Sequence, residues 1–223
     1  MQKLIDYSEL PEAVRNFVGY KTTVQGRSKK TMDEYALDLR TFFRFLTAER
    51  NGLDPKSMDE ESFAAVDITD VDMDFVASVT TKEIYDFLYY TLENRGNKPS
   101  ARARKLSALK SFYKYLTVNM RIIENDPTKN IEGPQKPKTL PKYLTLEESE
   151  SLLEAVRNDE LSKTRERDYC ILVLFLNCGM RLSELVGIHL SDIERNMESV
   201  RVLGKGAKER IIYLNRTSFS RRT

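Results

Sequence analysis

A proline-rich basic stretch divides this chain in two. Between residues 126 and 142 stand Pro127, Pro134, Pro137 and Pro141, interspersed with Lys129, Lys136, Lys138 and Lys142. Proline lacks an amide donor and biases the residue before it toward extended backbone, so neither a helix nor an inner strand runs through such a segment. The stretch reads as an extended linker with a separately folding unit on each side. A chain of 223 residues with 40% hydrophobic content can fill two modest cores.

The segment before the linker reads as helical. Residues 10–24 carry Val14, Phe17 and Val18 on one side, and residues 31–46 carry Tyr35, Leu39, Phe43 and Leu46 at a period near 3.6. Residues 51–79 are acidic and weakly periodic, consistent with a loop and one short helix. Residues 81–94 form another amphipathic helix through Ile84, Phe87, Leu88 and Leu92, with Thr81 in the capping position. Arg95-Gly-Asn-Lys-Pro99 interrupts it. The next helix, residues 101–119, has Leu106, Leu109, Tyr113 and Leu116 as its core stripe. Arg104, Ser107, Lys110, Ser111 and Lys114 share an arc away from that stripe. Small hydroxyls between cations let a helix lie close to a phosphate backbone; an ordinary solvated lysine face is the competing reading.

The net charge of +2 hides a strong asymmetry. Residues 51–94 hold 11 acidic and 2 basic side chains, and residues 95–142 hold 12 basic and 3 acidic. One locally basic face suits a polyanion. Cys170 and Cys178 lie eight residues apart in or at the end of an apolar run, too far along a helix for a disulfide, and read as buried thiols of a reducing compartment. The single histidine, His189, argues against a metal site or a Ser-His-Asp triad. The polar, acidic start does not read as a signal peptide, and the longest apolar run, Cys170–Leu176, is too short to span a bilayer.

After the linker, Thr145 and Glu148 form a capping box for a helix reaching about Arg157. Residues 163–178 form an apolar helix that Gly179 ends in a left-handed turn. A short helix follows through Gly187, with Ser183 as its candidate cap. Residues 199–203 and 210–214 alternate as strands around Gly204-Lys-Gly-Ala-Lys208. Arg181 projects from the tight junction between two helices, where free amides attract anions. Glu184, three residues on, can orient it. Lys205 sits at a hairpin tip between two glycines, which allow close approach to a ligand. A structural ion pair and a solvated turn lysine are the plainer readings of each.

The ordered set Gly179-Met-Arg-Leu-Ser-Glu-Leu185, Ser191-Asp-Ile193 and Gly204-Lys-Gly-Ala-Lys-Glu-Arg210 resembles the tyrosine recombinase (phage integrase) family, its Xer-type branch above all. The first half agrees, through residues 31–46, Ser107-Ala-Leu-Lys-Ser-Phe-Tyr-Lys-Tyr-Leu116, Asn125-Asp-Pro127 and Leu140-Pro-Lys-Tyr-Leu-Thr145. The resemblance covers residues 8 to 215.

It implies a mainly α chain of two domains. Residues 8–120 are a helical, SAM-like core-binding bundle, 121–142 the basic linker, and 143–215 the helical start of a catalytic domain with a small antiparallel β-hairpin. Residues 216–223 are an atypical tail. It further implies site-specific DNA recombination in the cytoplasm, as in chromosome dimer resolution or element integration. A tyrosine attacks the scissile phosphate to give a 3′-phosphotyrosine, on double-stranded DNA held in a clamp within a homo- or hetero-tetramer. No metal, nucleotide, small-molecule substrate or membrane takes part, since bond energy stays in the covalent link. Arg181 matches the first phosphate-gripping arginine, Lys205 the hairpin general acid and Glu184 a supporting acid. Arg104, Ser107, Lys110, Ser111, Lys114, Lys208 and Arg210 are the expected DNA contacts.

The family's His-x-x-Arg motif and late nucleophilic tyrosine find no match. His189 precedes the hairpin, and Tyr213 lies in the strand after Lys205, where the family has no nucleophile. The expectation is a sequence truncated within its catalytic domain that does not cleave DNA on its own, with the apolar 169–176 face left exposed. A non-catalytic DNA-binding module is the second reading, and a helical scaffold with merely solubilising charges the third.

Overall fold

The computed structural model describes residues 5–135, 140–196, 198–204, 206 and 208–214. It divides into two compact units, Met1–Lys138 and Thr139–Thr223.

The first unit is built on a 22-residue helix. α1 (Glu12–Thr23) and α2 (Lys29–Arg50) come first, α2 capped by the Ser28 side chain on the Thr31 amide. Two one-turn helices follow, α3 (Glu60–Ala64) and α4 (Met73–Ala77), then α5 (Thr81–Glu93) and α6 (Pro99–Lys114). A π turn over Tyr115–Asn119 continues α6 to the limit expected from its periodicity. Helix α2 packs against α1, α3, α5 and α6. Its apolar stripe is wider than the sequence reading, because Met32, Ala36, Phe42 and Phe45 are buried with Leu39, Phe43 and Leu46, while Tyr35 is half-buried at the edge.

Aromatic rings dominate this core. Phe112 meets Phe17 edge-on at 5.5 Å and Phe43 at 5.9 Å, and Phe42 meets Phe87 at 5.1 Å. Such edge-to-face pairs add to the burial of large rings. The Tyr113 hydroxyl donates to the Val76 carbonyl at 3.1 Å, so the buried phenol is satisfied.

The acidic stretch holds two short helices rather than one, and its aspartates explain them. Asp59 accepts from the Ser62 amide and Asp72 from the Phe75 amide, each capping one turn. Helix α5 is capped by Thr80, not Thr81, in a reciprocal box with Glu83. The Thr81 hydroxyl instead donates to the Pro127 carbonyl at 2.9 Å, pinning the start of the linker. Leu92, read as a core position of α5, is 38% exposed.

The second unit has a smaller core. Helix α7 (Leu146–Arg157) carries the expected box, with Thr145 and Glu148 bonding each other's backbone amides, and packs against α8 (Arg165–Cys178). No α7 residue is fully buried. Gly179 ends α8 at φ 55°, a conformation that glycine adopts without a Cβ clash. Then come α9 (Leu182–Val186), a 3₁₀ turn at Leu190–Asp192, and the antiparallel strands β1 (Ser199–Leu203) and β2 (Glu209–Tyr213). Their register pairs Ser199 with Tyr213 and Leu203 with Glu209, so β2 begins one residue before the sequence reading.

Leu174, Met180, Val200, Val202 and Ile212 form the second core, with Cys170 and Cys178 half-buried against it. Of the 169–176 face, Val173 and Leu174 are buried and the others half-buried. Leu161, Leu190 and Val186 are among the side chains left largely in solvent.

Candidate functional site

The site forms where α8 ends. The left-handed turn at Gly179 and the buried Met180 side chain carry the backbone into Arg181, which is extended at φ −80° and ψ 151° and occupies the N-cap of α9. Arginine offers no capping oxygen; the Glu184 amide, at the third helical position, donates to the Arg181 carbonyl at 3.0 Å, and the Glu184 carboxylate reaches back to the Arg181 backbone and side chain. Glu184 Oε2 accepts from the Arg181 amide at 2.8 Å, and Oε1 accepts from Arg181 Nη1 at 2.7 Å. Ser183, the cap read from sequence, lies inside the helix instead.

A second arginine completes the arrangement. Arg210 Nη2 donates to Glu184 Oε2 at 2.9 Å and approaches the Gly179 carbonyl at 3.5 Å. Two guanidinium groups thus share one carboxylate whose side chain is 0% exposed, while Arg181 keeps 65% of its own side chain in solvent. A buried carboxylate is tolerated only when paired and hydrogen-bonded, and here both oxygens are used. The Arg181 amide, more than any other group, holds the Glu184 carboxyl below its ordinary value, and the two guanidiniums add to this against the opposing effect of burial.

Gly204 closes the site from the hairpin side. Its amide donates to the Lys208 carbonyl at 2.7 Å. A Cβ there would stand 3.3 Å from Glu184 Oε1 and 3.3 Å from the Lys208 carbonyl oxygen, so the absence of a side chain lets the hairpin base approach the carboxylate. The structure therefore brings together Arg181, Glu184, Gly204 and Arg210. Lys205 lies outside the described residues. Lys208 is exposed, and Tyr213 is 79% exposed on the outer face of β2.

The sequence reading placed Arg210 among DNA contacts and missed its bond to Glu184. The strand period held the signal: Arg210 and Ile212 share a face of β2, and Ile212 is buried. The sequence reading gives Gly204 a turn that allows close approach to a ligand; what approaches it is Glu184, 20 positions upstream, which nothing local announces.

An expected consequence concerns pH. A carboxyl held low in the fold stabilises it fully above the ordinary glutamate value of 4.5. That stability is lost as pH falls through the lowered value in the folded state. Amide protection factors across the second unit, with each observed exchange rate divided by the intrinsic rate at that pH, should therefore fall on acidification below that range. Glu184→Gln should flatten this pH dependence; an unchanged profile would show that Glu184 is not the group responsible.

In the first unit, the basic arc of α6 is only partly free. Arg104 Nη1 lies 2.6 Å from Glu34 Oε2 and 2.9 Å from Asp38 Oδ2, both on α2. Lys105, one position off the arc, donates to Asp38 Oδ1 at 2.9 Å, and both are buried. Burial pushes the Asp38 carboxyl up, and Lys105 and Arg104 pull it down less strongly. Ser107 is exposed, its hydroxyl turned back to the Ala103 carbonyl at 2.8 Å. Lys110 donates to the Ile131 carbonyl at 2.5 Å, Ser111 is half-buried, and Lys114 is exposed. Lys110, Lys114 and Lys129 line an open groove of about 650 Å³, with Glu124 and Asp126 also on its wall. Among the described residues no helix is long and apolar enough to cross a membrane, and no group of histidine, cysteine and acidic side chains is placed to hold a metal.

Two family models match in chain order. Residues 67–119 match the N-terminal SAM-like domain of phage integrases, and residues 142–221 match the phage integrase family itself. The chain is 44% identical over 205 residues to the tyrosine recombinase XerC of Caldanaerobacter subterraneus subsp. tengcongensis, covering 92% of this chain and 55% of that protein. It is 36% identical over 198 residues to XerC of Chlamydia caviae, covering 88% of this chain and 60% of that one. It thus spans little more than half the length of these relatives.

Among solved structures, XerH site-specific recombinase in a post-cleavage complex with palindromic difH substrate aligns with a TM-score of 0.60 at 18% identity, over 92% of this chain and 55% of that chain. A lambda integrase tetramer bound to a Holliday junction aligns with a TM-score of 0.58 at 15% identity, over 92% of this chain and 51% of that one. These two likenesses speak for the fold. Taken with the ordered family matches and the relatives' identity along nearly the whole sequence, they place the chain in the phage integrase family of tyrosine recombinases.

Proposed function

We propose that this chain binds double-stranded DNA as part of a site-specific recombinase of the XerC kind, which cuts and rejoins strands through a 3′-phosphotyrosine. The observation that carries the reading is Arg181. Its backbone and one nitrogen are fixed by Glu184, yet most of its side chain stays in solvent, the disposition a phosphate-gripping arginine needs. Lys205 is the general acid of this reading. Residues 8–120 hold duplex through the α6 arc, with Lys114 and Ser107 the most exposed of its members and Ser111, Lys110 and Arg104 beside them, and residues 143–215 add Lys208 and Arg210. Chromosome dimer resolution in the cytoplasm, within a recombinase tetramer on DNA, is the corresponding role. The energy of the broken phosphodiester is kept in the protein–DNA bond, so the reaction calls for no metal, nucleotide or small-molecule substrate.

Fluorescence anisotropy on a labelled duplex tests the binding. Affinity should fall steeply with salt, at about 0.9 log units per log unit of salt for each neutralised phosphate, and Lys114→Ala should make the slope shallower. Salt-independent binding would remove the DNA reading. A nicked suicide duplex should yield no covalent adduct with the 223-residue chain; an adduct would mean that a tyrosine outside the family's usual context is the nucleophile.

A further inference from the structure

We infer that Arg210 is a positioning residue: it clamps the base of the hairpin onto the same carboxylate that holds Arg181, so that the strand leading into Lys205 keeps a fixed place relative to that arginine. The inference refines the functional reading above, which assigns Arg210 to DNA, and rests on that reading only for what Arg181 and Lys205 do.

Three observations converge on it. Arg210 shares a face of β2 with the buried Ile212, and with 45% of its side chain in solvent its Nη2 still reaches the 0%-exposed Glu184 carboxylate at 2.9 Å. The same nitrogen lies 3.5 Å from the Gly179 carbonyl, the residue that turns the chain into Arg181. Gly204, on the opposite side of the hairpin base, leaves space for Glu184 that any Cβ would crowd at 3.3 Å. The hairpin thus meets Glu184 from two points while Arg181 meets it from a third. A carboxylate bonded by the Arg181 amide, the Arg181 guanidinium and the Arg210 guanidinium cannot turn without moving all three.

NMR of the 223-residue chain with labelled arginine and glycine tests the clamp without DNA. In Arg210→Gln the Gly204 amide should exchange about tenfold faster, as expected for losing one charge-assisted hydrogen bond, and the Arg181 side-chain signals should move. Arg210→Lys, which keeps the charge and a donor, should restore part of both. If Arg210→Gln also loosens the Arg201 amide inside β1, the Arg210→Lys comparison decides. Unmoved Arg181 and Gly204 signals in both variants would overturn the proposal.

A duplex arm separates the two roles. If Arg210 only positions, adding Arg210→Gln to Arg181→Gln leaves the salt slope where the single Arg181 substitution put it. A further loss of about 0.9 would make Arg210 a phosphate contact and overturn the proposal. A parent chain that binds no duplex would end the functional reading and leave the NMR result to decide the clamp.

Discussion

Replacing Lys105 by methionine should destabilise the first unit by about 3 kcal/mol, the low end of what removing one partner of a buried ion pair costs. Asp38 is 2% exposed and Lys105 9%. The substitution keeps the aliphatic stem and its packing but strands the carboxylate. Arg104 stays 2.9 Å from Asp38 Oδ2, which moderates the loss without removing it, because Arg104 is partly solvated and also serves Glu34. The double variant Lys105→Met with Asp38→Leu should recover most of the stability, since a well-packed apolar pair replaces a buried ionic one at little cost. Urea unfolding followed by tyrosine fluorescence reads both. A Lys105→Met chain as stable as the parent would mean that Asp38 is protonated or hydrated in the fold.

Phe112→Ala should cost more, about 3–5 kcal/mol, because it removes a large ring and leaves a cavity that its neighbours fill only partly. Phe112 is 0% exposed and touches Phe17 of α1, Phe43 of α2 and its own neighbour Tyr113 edge-on. Each such contact is worth about 0.5–1.5 kcal/mol beyond the area buried. Against a domain stability of about 5–15 kcal/mol, the loss takes a large share of the unit's margin. The urea midpoint should drop with little change in slope. A drop of under 1 kcal/mol would mean that α1, α2 and α6 do not meet at this ring.

These two residues lie seven apart on one helix, and they show what the sequence could disclose. The α6 stripe of Leu106, Leu109, Tyr113 and Leu116 was legible because burial repeats at the helical period, and all four are buried. The partner of Lys105 was not legible, since Asp38 lies 67 positions away on α2 and only packing brings them together. The same holds for Arg104, whose place on the polar arc is correct while its direction is set by Glu34 and Asp38. One short helix was expected in the acidic stretch; its division into α3 and α4 was not legible because five residues are too few to show a period, although Asp59 and Asp72 stood in the sequence as caps.

At the site, Arg181 and Glu184 were legible as a local pair three residues apart. Alternation puts Arg210 on the face of Ile212, but its partner was not legible, because Glu184 lies 26 positions upstream and only packing brings the two together.

The measurement that bears most directly on the account is the salt dependence of duplex binding by the parent chain and by Arg181→Ala. An arginine held open by Glu184 to take a phosphate predicts parallel folds and a log–log slope shallower by about 0.9 in the variant. Identical slopes at identical stability would contradict it, leaving Arg181 as no more than the partner of a buried glutamate.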